Sequence, residues 1–306
     1  MALSTRLGYV GRAGTSMLRD PWAGLERVRG RIDRRRDRRA WRELGSSRED
    51  VYAPDPSWSR SLHALLGAGW PCDAMARFHA VWKETVGSLA AAGLSVGLAT
   101  YGGWNDADPA MSEGIWCLVS HLRPRRVLET GVARGLTSRV ILEGLERNGE
   151  GRLWSIDLPH LDTRLHDQIG TAVPEDLRAR WTYVPGTSRS RLRPVLEEVG
   201  ELDLFVHDSL HTGRNVRFEL ETVWPALRPG GAMVVDDIGH SLAFDAFTAA
   251  VAPCVRVTAL HADGRGFWGL VLKGVPHDPP RREAGRDARG GRGRPRVSDP
   301  RPRPVS

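Results

Sequence analysis

The chain has 306 residues, of which 41% are hydrophobic, enough for the core of one large α/β domain with extensions. Its formal net charge of +7 sits at the ends: residues 1–50 hold 13 arginines against 7 acids and residues 274–306 hold 9 against 4, which leaves 51–273 mildly acidic. That distribution argues against specific nucleic-acid binding, which needs basic side chains clustered on a folded face. It also lacks the run of about 18 apolar residues that a transmembrane helix requires.

Residues 1–55 read as an Arg-rich, partly disordered extension in which Leu25–Leu44 forms at most a solvated, charge-studded helix. No apolar leader segment is visible in it. Cys72, Cys117 and Cys254 are scattered and lack CxxC pairing, so they suggest neither a disulfide framework nor a zinc cluster. A reducing cytoplasm is the expected compartment. Pro54-Asp55-Pro56 then marks a break before a helical cap region over 56–110. There Met75, Phe78, Val81, Trp82, Val86 and Leu89 recur at helical spacing between Pro71 and Gly93. The loop Tyr101–Pro109 follows, then a second helix to about His121. Residues 274–306, rich in Arg, Pro and Gly, read as a disordered tail.

Strands and helices alternate between 111 and 273. The predicted strands are Arg126–Thr130, Leu153–Ile156, Trp181–Val184, Leu202–His207 and Ala232–Val235, each followed by a helical stretch. Val255–Leu260 and Phe267–Lys273 flank a short turn and should pair antiparallel. The implied fold class is α/β: a mostly parallel, seven-stranded Rossmann-like sheet with an antiparallel closing hairpin and helices on both faces. Ligands of such sheets bind at the carboxyl ends of the strands. Acids end four of the five parallel strands, at Glu129, Asp157, Asp208 and Asp236-Asp237.

The first strand runs into Glu129-Thr-Gly131-Val-Ala133-Arg-Gly135-Leu-Thr-Ser138. Gly131 and Gly135 admit a ligand close to the backbone, and the helix starting after Gly135 offers free N–H groups. Asp157 can accept hydrogen bonds from both hydroxyls of a ribose. The loop lacks the GxGxxG spacing that a dinucleotide favours. It resembles motif I of class I S-adenosylmethionine-dependent methyltransferases, with Ala133 where a glycine often stands. Val184-Pro-Gly186-Thr-Ser188 is similar to the turn that catechol O-methyltransferase-like enzymes place against adenine. The resemblance spans about Met111 to Lys273. It implies S-adenosyl-L-methionine contacts at Glu129, Gly131, Ala133, Gly135, Ser138, Asp157, Gly186, Ser188 and Asp208.

Asp208 and Asp236-Asp237 should converge on neighbouring strands, where uncompensated carboxylates would repel. A divalent cation, expected to be Mg²⁺, would resolve that conflict and activate a substrate hydroxyl. This pattern resembles the metal-dependent catechol and macrolide-sugar O-methyltransferases, which implies Asp208, Asp236 and Asp237 as metal ligands. His211, three residues after Asp208, is the candidate general base, with Asp208 beside it and His240 in reserve. The plainer alternative is that these aspartates cap helices.

The expected function is therefore methyl transfer to a hydroxyl of a small molecule, a sugar or natural product. A metal-independent methyltransferase, an NAD-type oxidoreductase on a Rossmann sheet and a non-catalytic S-adenosylmethionine-binding protein stay open. The expected partner is the small-molecule acceptor, and homo-oligomerisation is left open.

Overall fold

The computed structural model describes residues 21–252 and 254–274, so the expectations for residues 1–20 and for 275–306 lie outside the described residues. Seven short strands rich in Val, Leu and Phe set the architecture: β1 (Arg126–Thr130), β2 (Arg152–Asp157), β3 (Trp181–Pro185), β4 (Leu202–His207), β5 (Leu227–Val235), β6 (Val255–Leu260) and β7 (Phe267–Leu272). They form one sheet in the order β3-β2-β1-β4-β5-β7-β6. β7 is antiparallel to both of its neighbours, and the other six strands run parallel. The turn 261–266 is too short for a helical crossover, so β6 must reverse into β7. The predicted hairpin is therefore present, and it is its second strand that pairs with β5.

Side-chain alternation along each strand divides the core into two layers. Val127, Leu204, Val206 and Val234 face one side, together with Leu62 of α3 (Trp58–Leu65), Ile115 and Leu118 of α5 (Pro109–Leu122), and Ile141 and Leu142 of α6 (Leu136–Asn148). Leu128, Phe205, Met233 and Val235 face the other side. There they meet Leu192 of α7 (Ser188–Val199), Leu220 of α8 (Gly213–Val223) and Phe244 of α9 (Ala243–Ala250). The helix α4 (Asp73–Ala91) buries Phe78, Val81, Thr85 and Leu89, a stripe at three- and four-residue steps, against Trp116, Val140 and Leu136. No described helix is long and apolar enough to cross a membrane.

The N-terminal region departs from expectation. Pro21–Leu44 is a 24-residue helix, α1, followed by the short α2 (Arg48–Tyr52). Instead of lying free in solvent, α1 is docked. Glu26, Asp33 and Asp37 share one face at seven- and four-residue steps. Arg214 at the head of α8 reaches Asp33 at 2.6 Å and Glu26 at 2.8 Å, and Asp37 accepts the Gly213 N–H at 3.0 Å. The acids on this face are met by Arg214 and the Gly213 N–H, more than 170 residues away, a complement no local pattern displays. Trp41 and Tyr52 add apolar anchorage in the layer around Phe244 and Phe267.

Candidate functional site

The carboxyl ends of β1 and β2 carry the glycine loop. Gly131 leaves β1 with φ +90°, and its N–H donates to the Ile156 carbonyl at 2.8 Å. A Cβ at Gly131 would lie 1.9 Å from the Asp208 carbonyl oxygen, so this loop is pressed against the end of β4. Ala133 occupies the left-handed region at φ +46°. A methyl side chain tolerates that conformation at a cost of about 1 kcal/mol. The loop is clamped from outside: Ala133 and Arg134 carbonyls accept the Gly170 and Ala172 N–H groups at 3.0 and 2.9 Å. Gly135, φ +82°, opens α6 without any side-chain cap, which leaves the first N–H groups of that helix for other partners.

Asp157 ends β2 and accepts the Val132 N–H at 3.3 Å. Burial raises its pKa to about 6, with the Val132 and Leu158 N–H groups partly opposing. Gly186 lies beside it, donating its N–H to the Asp157 carbonyl at 2.8 Å. Two of the expected contact residues point elsewhere. Ser138 is fully buried behind the loop, where it and Ser155 each donate to Glu129 Oε2 at 2.6 Å. Glu129 is itself fully buried; burial lifts its pKa to about 7 against those two hydrogen bonds, and its Oε1 has no partner. Ser188, in the first turn of α7, hydrogen-bonds the buried Glu219 of α8. Helical rotation just after Thr187, which caps the Ser190 N–H, turns Ser188 inward.

The ends of β4 and β5 carry the second half. Asp208 is held by its N–H to the Thr130 carbonyl at 2.8 Å, and Asp236 by its N–H to the His207 carbonyl at 2.9 Å. His211 stands among all three aspartates: its Nε2 is 3.4 Å from Asp208 and 3.8 Å from Asp236, and its Nδ1 is 3.1 Å from Asp237. His240 is more peripheral, 3.5 Å from Asp237 and 58% exposed. The turn between β6 and β7 adds His261, whose Nε2 lies 2.9 Å from Asp236 Oδ1. Asp237 takes φ +49° at the start of a 3₁₀ turn and makes no side-chain cap bond, which removes the capping explanation for it.

Charge is crowded at this edge. Burial and then the Asp236 carboxylate push Asp208 up to about 8, with His211 partly offsetting. Burial would lower the His211 pKa, but Asp208, Asp237 and Asp236 together raise it well above 6.5. Burial would raise Asp237, but His211, His240 and His261 hold it well below the ordinary carboxylate range. His261 rises to about 9 against its burial because of Asp236, Asp108 and Asp237. Three triads with metal-ligand spacing result, Asp208–His211–Asp236, Asp236–Asp237–His261 and His211–Asp237–His240. Each mixes carboxylate with imidazole, whereas the sequence suggested a shell of aspartates alone.

Beneath this edge, Glu219 anchors the loop. Its Oε2 meets His207 Nδ1 at 2.6 Å and the Thr130 hydroxyl at 2.5 Å; its Oε1 accepts from Ser209 at 2.7 Å and Asn215 at 2.9 Å. The expectation that His207 faces away from the acids agrees with this fully buried position. Three further residues escaped sequence reasoning. Arg134, also buried, donates to the Ser95 and Thr100 carbonyls at 2.5 and 2.7 Å and so ties the 95–106 loop to the glycine loop. Glu219 sits inside an ordinary amphipathic helix pattern, and His261 in an unremarkable turn.

Residues 128–238 match the profile of a methyltransferase-domain family. Among solved structures, an O-methyltransferase from Bacillus cereus in complex with S-adenosylhomocysteine is 17% identical, with a TM-score of 0.48, 71% of this chain covered and 98% of that one. The O-methyltransferase TomG from Streptomyces achromogenes, involved in tomaymycin synthesis and bound to S-adenosylmethionine, gives 15%, 0.48, 63% and 89%. The O-methyltransferase NovP gives 18%, 0.46, 66% and 100%. No curated protein sequence matches. The family match, to a methyltransferase domain, falls on the segment that runs from β1, through the glycine loop, to the acids after β5.

Proposed function

We propose that the protein transfers the methyl group of S-adenosylmethionine to a hydroxyl of a small molecule, a sugar or natural product, in the cytoplasm, with a divalent cation bound at the β4–β5 edge. The observation that carries this reading is the packing of Asp236 and His261. Asp236 Oδ1 and His261 Nε2 approach to 2.9 Å, yet neither atom has a hydrogen bond of acceptable geometry, and His211 Nε2 is likewise buried without one. Atoms that close but badly aimed at each other are arranged as ligands of a shared centre are, with about 2.1 Å bonds at right angles.

Asp208, Asp236 and Asp237 would be the oxygen ligands of this reading and His261 the nitrogen ligand beside Asp236, with His211 at its rim. When bound, a divalent cation acidifies and orients the acceptor hydroxyl. The protein supplies the rest. Asp157 accepts the ribose hydroxyls, Gly131 lets the loop pack directly against the end of β4, and the head of α6 faces the polar end of the cofactor. The three aspartates favour the imidazolium form of His211, and a bound cation would offset their charge; neutral His211, oriented through Nδ1 by Asp237, would then take the hydroxyl proton at Nε2. The 95–109 loop and α1 wall the acceptor space, since Leu210 of the catalytic loop packs against Gly30 of α1. The nitrogen at His261 favours a second version in which Mn²⁺ or another borderline cation replaces Mg²⁺.

Incubation with labelled S-adenosylmethionine and a panel of hydroxylated acceptors tests both parts. Label transfer should stop in EDTA and return with Mg²⁺ or Mn²⁺. Full transfer in chelator would remove the cation from the mechanism. Binding of NAD(H) without binding of S-adenosylhomocysteine would sink the methyl-transfer reading itself.

A further inference from the structure

A second group of ligand-type side chains lies toward the amino edge of the sheet, the edge opposite Asp208 and Asp237. His121 is near the end of α5, five residues before β1 begins. His63 comes from α3 and Cys72 from the residue that precedes α4. One nitrogen from each imidazole and the Cys72 sulfur lie within 4.8 Å of one another. His63 Nε2 is 3.1 Å and His121 Nε2 3.4 Å from Cys72 Sγ. Cys117 sits on α5 four residues before His121, on the same helix face, and its buried thiol neighbours Cys72 while standing outside the three-residue group itself.

Three observations separate this group from an ordinary buried histidine contact. First, His63 is fully buried and its Nδ1 lies 2.7 Å from the Ser59 carbonyl, which can only accept. The ring proton is therefore on Nδ1, and the Nε2 lone pair points at the cluster, the tautomer that metal-bound histidines adopt through such a carbonyl. Second, a single thiol proton serves only one acceptor, yet two imidazole nitrogens and a second sulfur crowd Cys72. Third, tetrahedral zinc, with bonds of about 2.3 Å to sulfur and about 2.0 Å to nitrogen, sets its sulfur and nitrogen ligands about 3.5 Å apart. The two Cys72 distances are close to that edge length.

We propose that His63, Cys72 and His121, with Cys117 as the fourth donor, bind one zinc-class divalent cation. The site is structural: it ties α3 and the start of α4 to α5, and through α5 to the sheet. Four protein donors leave no open position for substrate. The proposal is independent of the methyl-transfer reading.

The test uses the full-length protein, reduced and stripped of metal, titrated with Co²⁺. Thiolate-to-cobalt charge transfer should appear in the near ultraviolet, saturate at one equivalent and be displaced by Zn²⁺. The carboxylate edge contains no sulfur, so Asp236→Asn should keep the band. Cys72→Ser should lose it, and Zn²⁺ should raise the melting temperature of the wild type but not of Cys72→Ser, which alters a half-buried position and retains the fold. Absence of the band at saturating Co²⁺, its persistence in Cys72→Ser, or a Cys72–Cys117 disulfide in its place would each overturn the proposal.

Discussion

The two halves of the carboxyl edge are built on different principles. At β1–β2 the backbone does most of the work: Gly131, Ala133 and Gly135 take positive φ, and the head of α6 carries no side-chain cap. At β4–β5 side chains do it, and they come from three separate segments, 208–211, 236–240 and 261. A backbone site spreads its binding over many small contributions. A side-chain site concentrates function in a few charged groups that depend on one another. The close approach of Gly131 to the Asp208 carbonyl joins the halves through the backbone, which would set the proposed reacting centre directly beside the proposed cofactor loop.

The sharpest way to break this comparison is to remove the group on which the side-chain half converges. His211→Ala should lower kcat by about 10²–10⁴-fold while leaving the affinity for S-adenosylhomocysteine within about two-fold of wild type. Steady-state kinetics together with calorimetry decide it. A comparable loss in cofactor affinity would mean that the halves are not separable.

The same contrast explains what could be read from the sequence. The β1–β2 half is local: strand, glycines, helix and second acid all lie between Arg126 and Asp157, so their pattern shows directly. The convergence of Asp208 with Asp236 was also legible, because βα alternation makes β4 and β5 neighbours. His261 was not, since it arrives through the one antiparallel reversal, and nothing in the turn 261–266 marks its destination. Ser138 and Ser188 were misplaced for a simpler reason: sequence places a residue at a helix start but does not say which way the first turn rotates it. The docking of α1 and the His63–Cys72–His121 cluster depend on partners 9 to 188 residues apart, and only the folded chain displays them.

Glu219 offers a smaller effect with a defined pH signature. Burial alone would raise its pKa, but His207 and the hydroxyls of Ser188 and Thr130 outweigh burial and bring it to about 2. The folded-state value therefore lies below the unfolded one, so the stabilisation is complete above pH ~4.5 and is lost as pH falls toward ~2. Its full size is on the order of 3 kcal/mol. Glu219→Gln should lower stability by about that amount at pH 7, and the gap to wild type should close between pH ~5 and ~2 in denaturant titrations. A gap independent of pH would mean that Glu219 acts by shape rather than by charge. Turnover should fall as well, because Ser209 and Asn215 hold the Asp208–His211 loop through this carboxylate.

The mildest effect belongs to the backbone half. Asp157→Ala would remove the carboxylate proposed to accept the ribose hydroxyls but leave the glycine loop and the head of α6 in place. Affinity for S-adenosylhomocysteine should fall about ten-fold, on the order of 1.4 kcal/mol, with kcat at saturating cofactor little changed. The carboxyl group adds a sign. With burial holding its pKa near 6 in the free protein, and with ribose hydroxyls favouring the ionised form, wild-type affinity should weaken as pH drops below about 6. Asp157→Ala should show no such slope. If the variant instead lost binding altogether, a single side chain would be carrying what the geometry assigns to the backbone, and the division between the two halves would fail at the half where it is expected to be clearest.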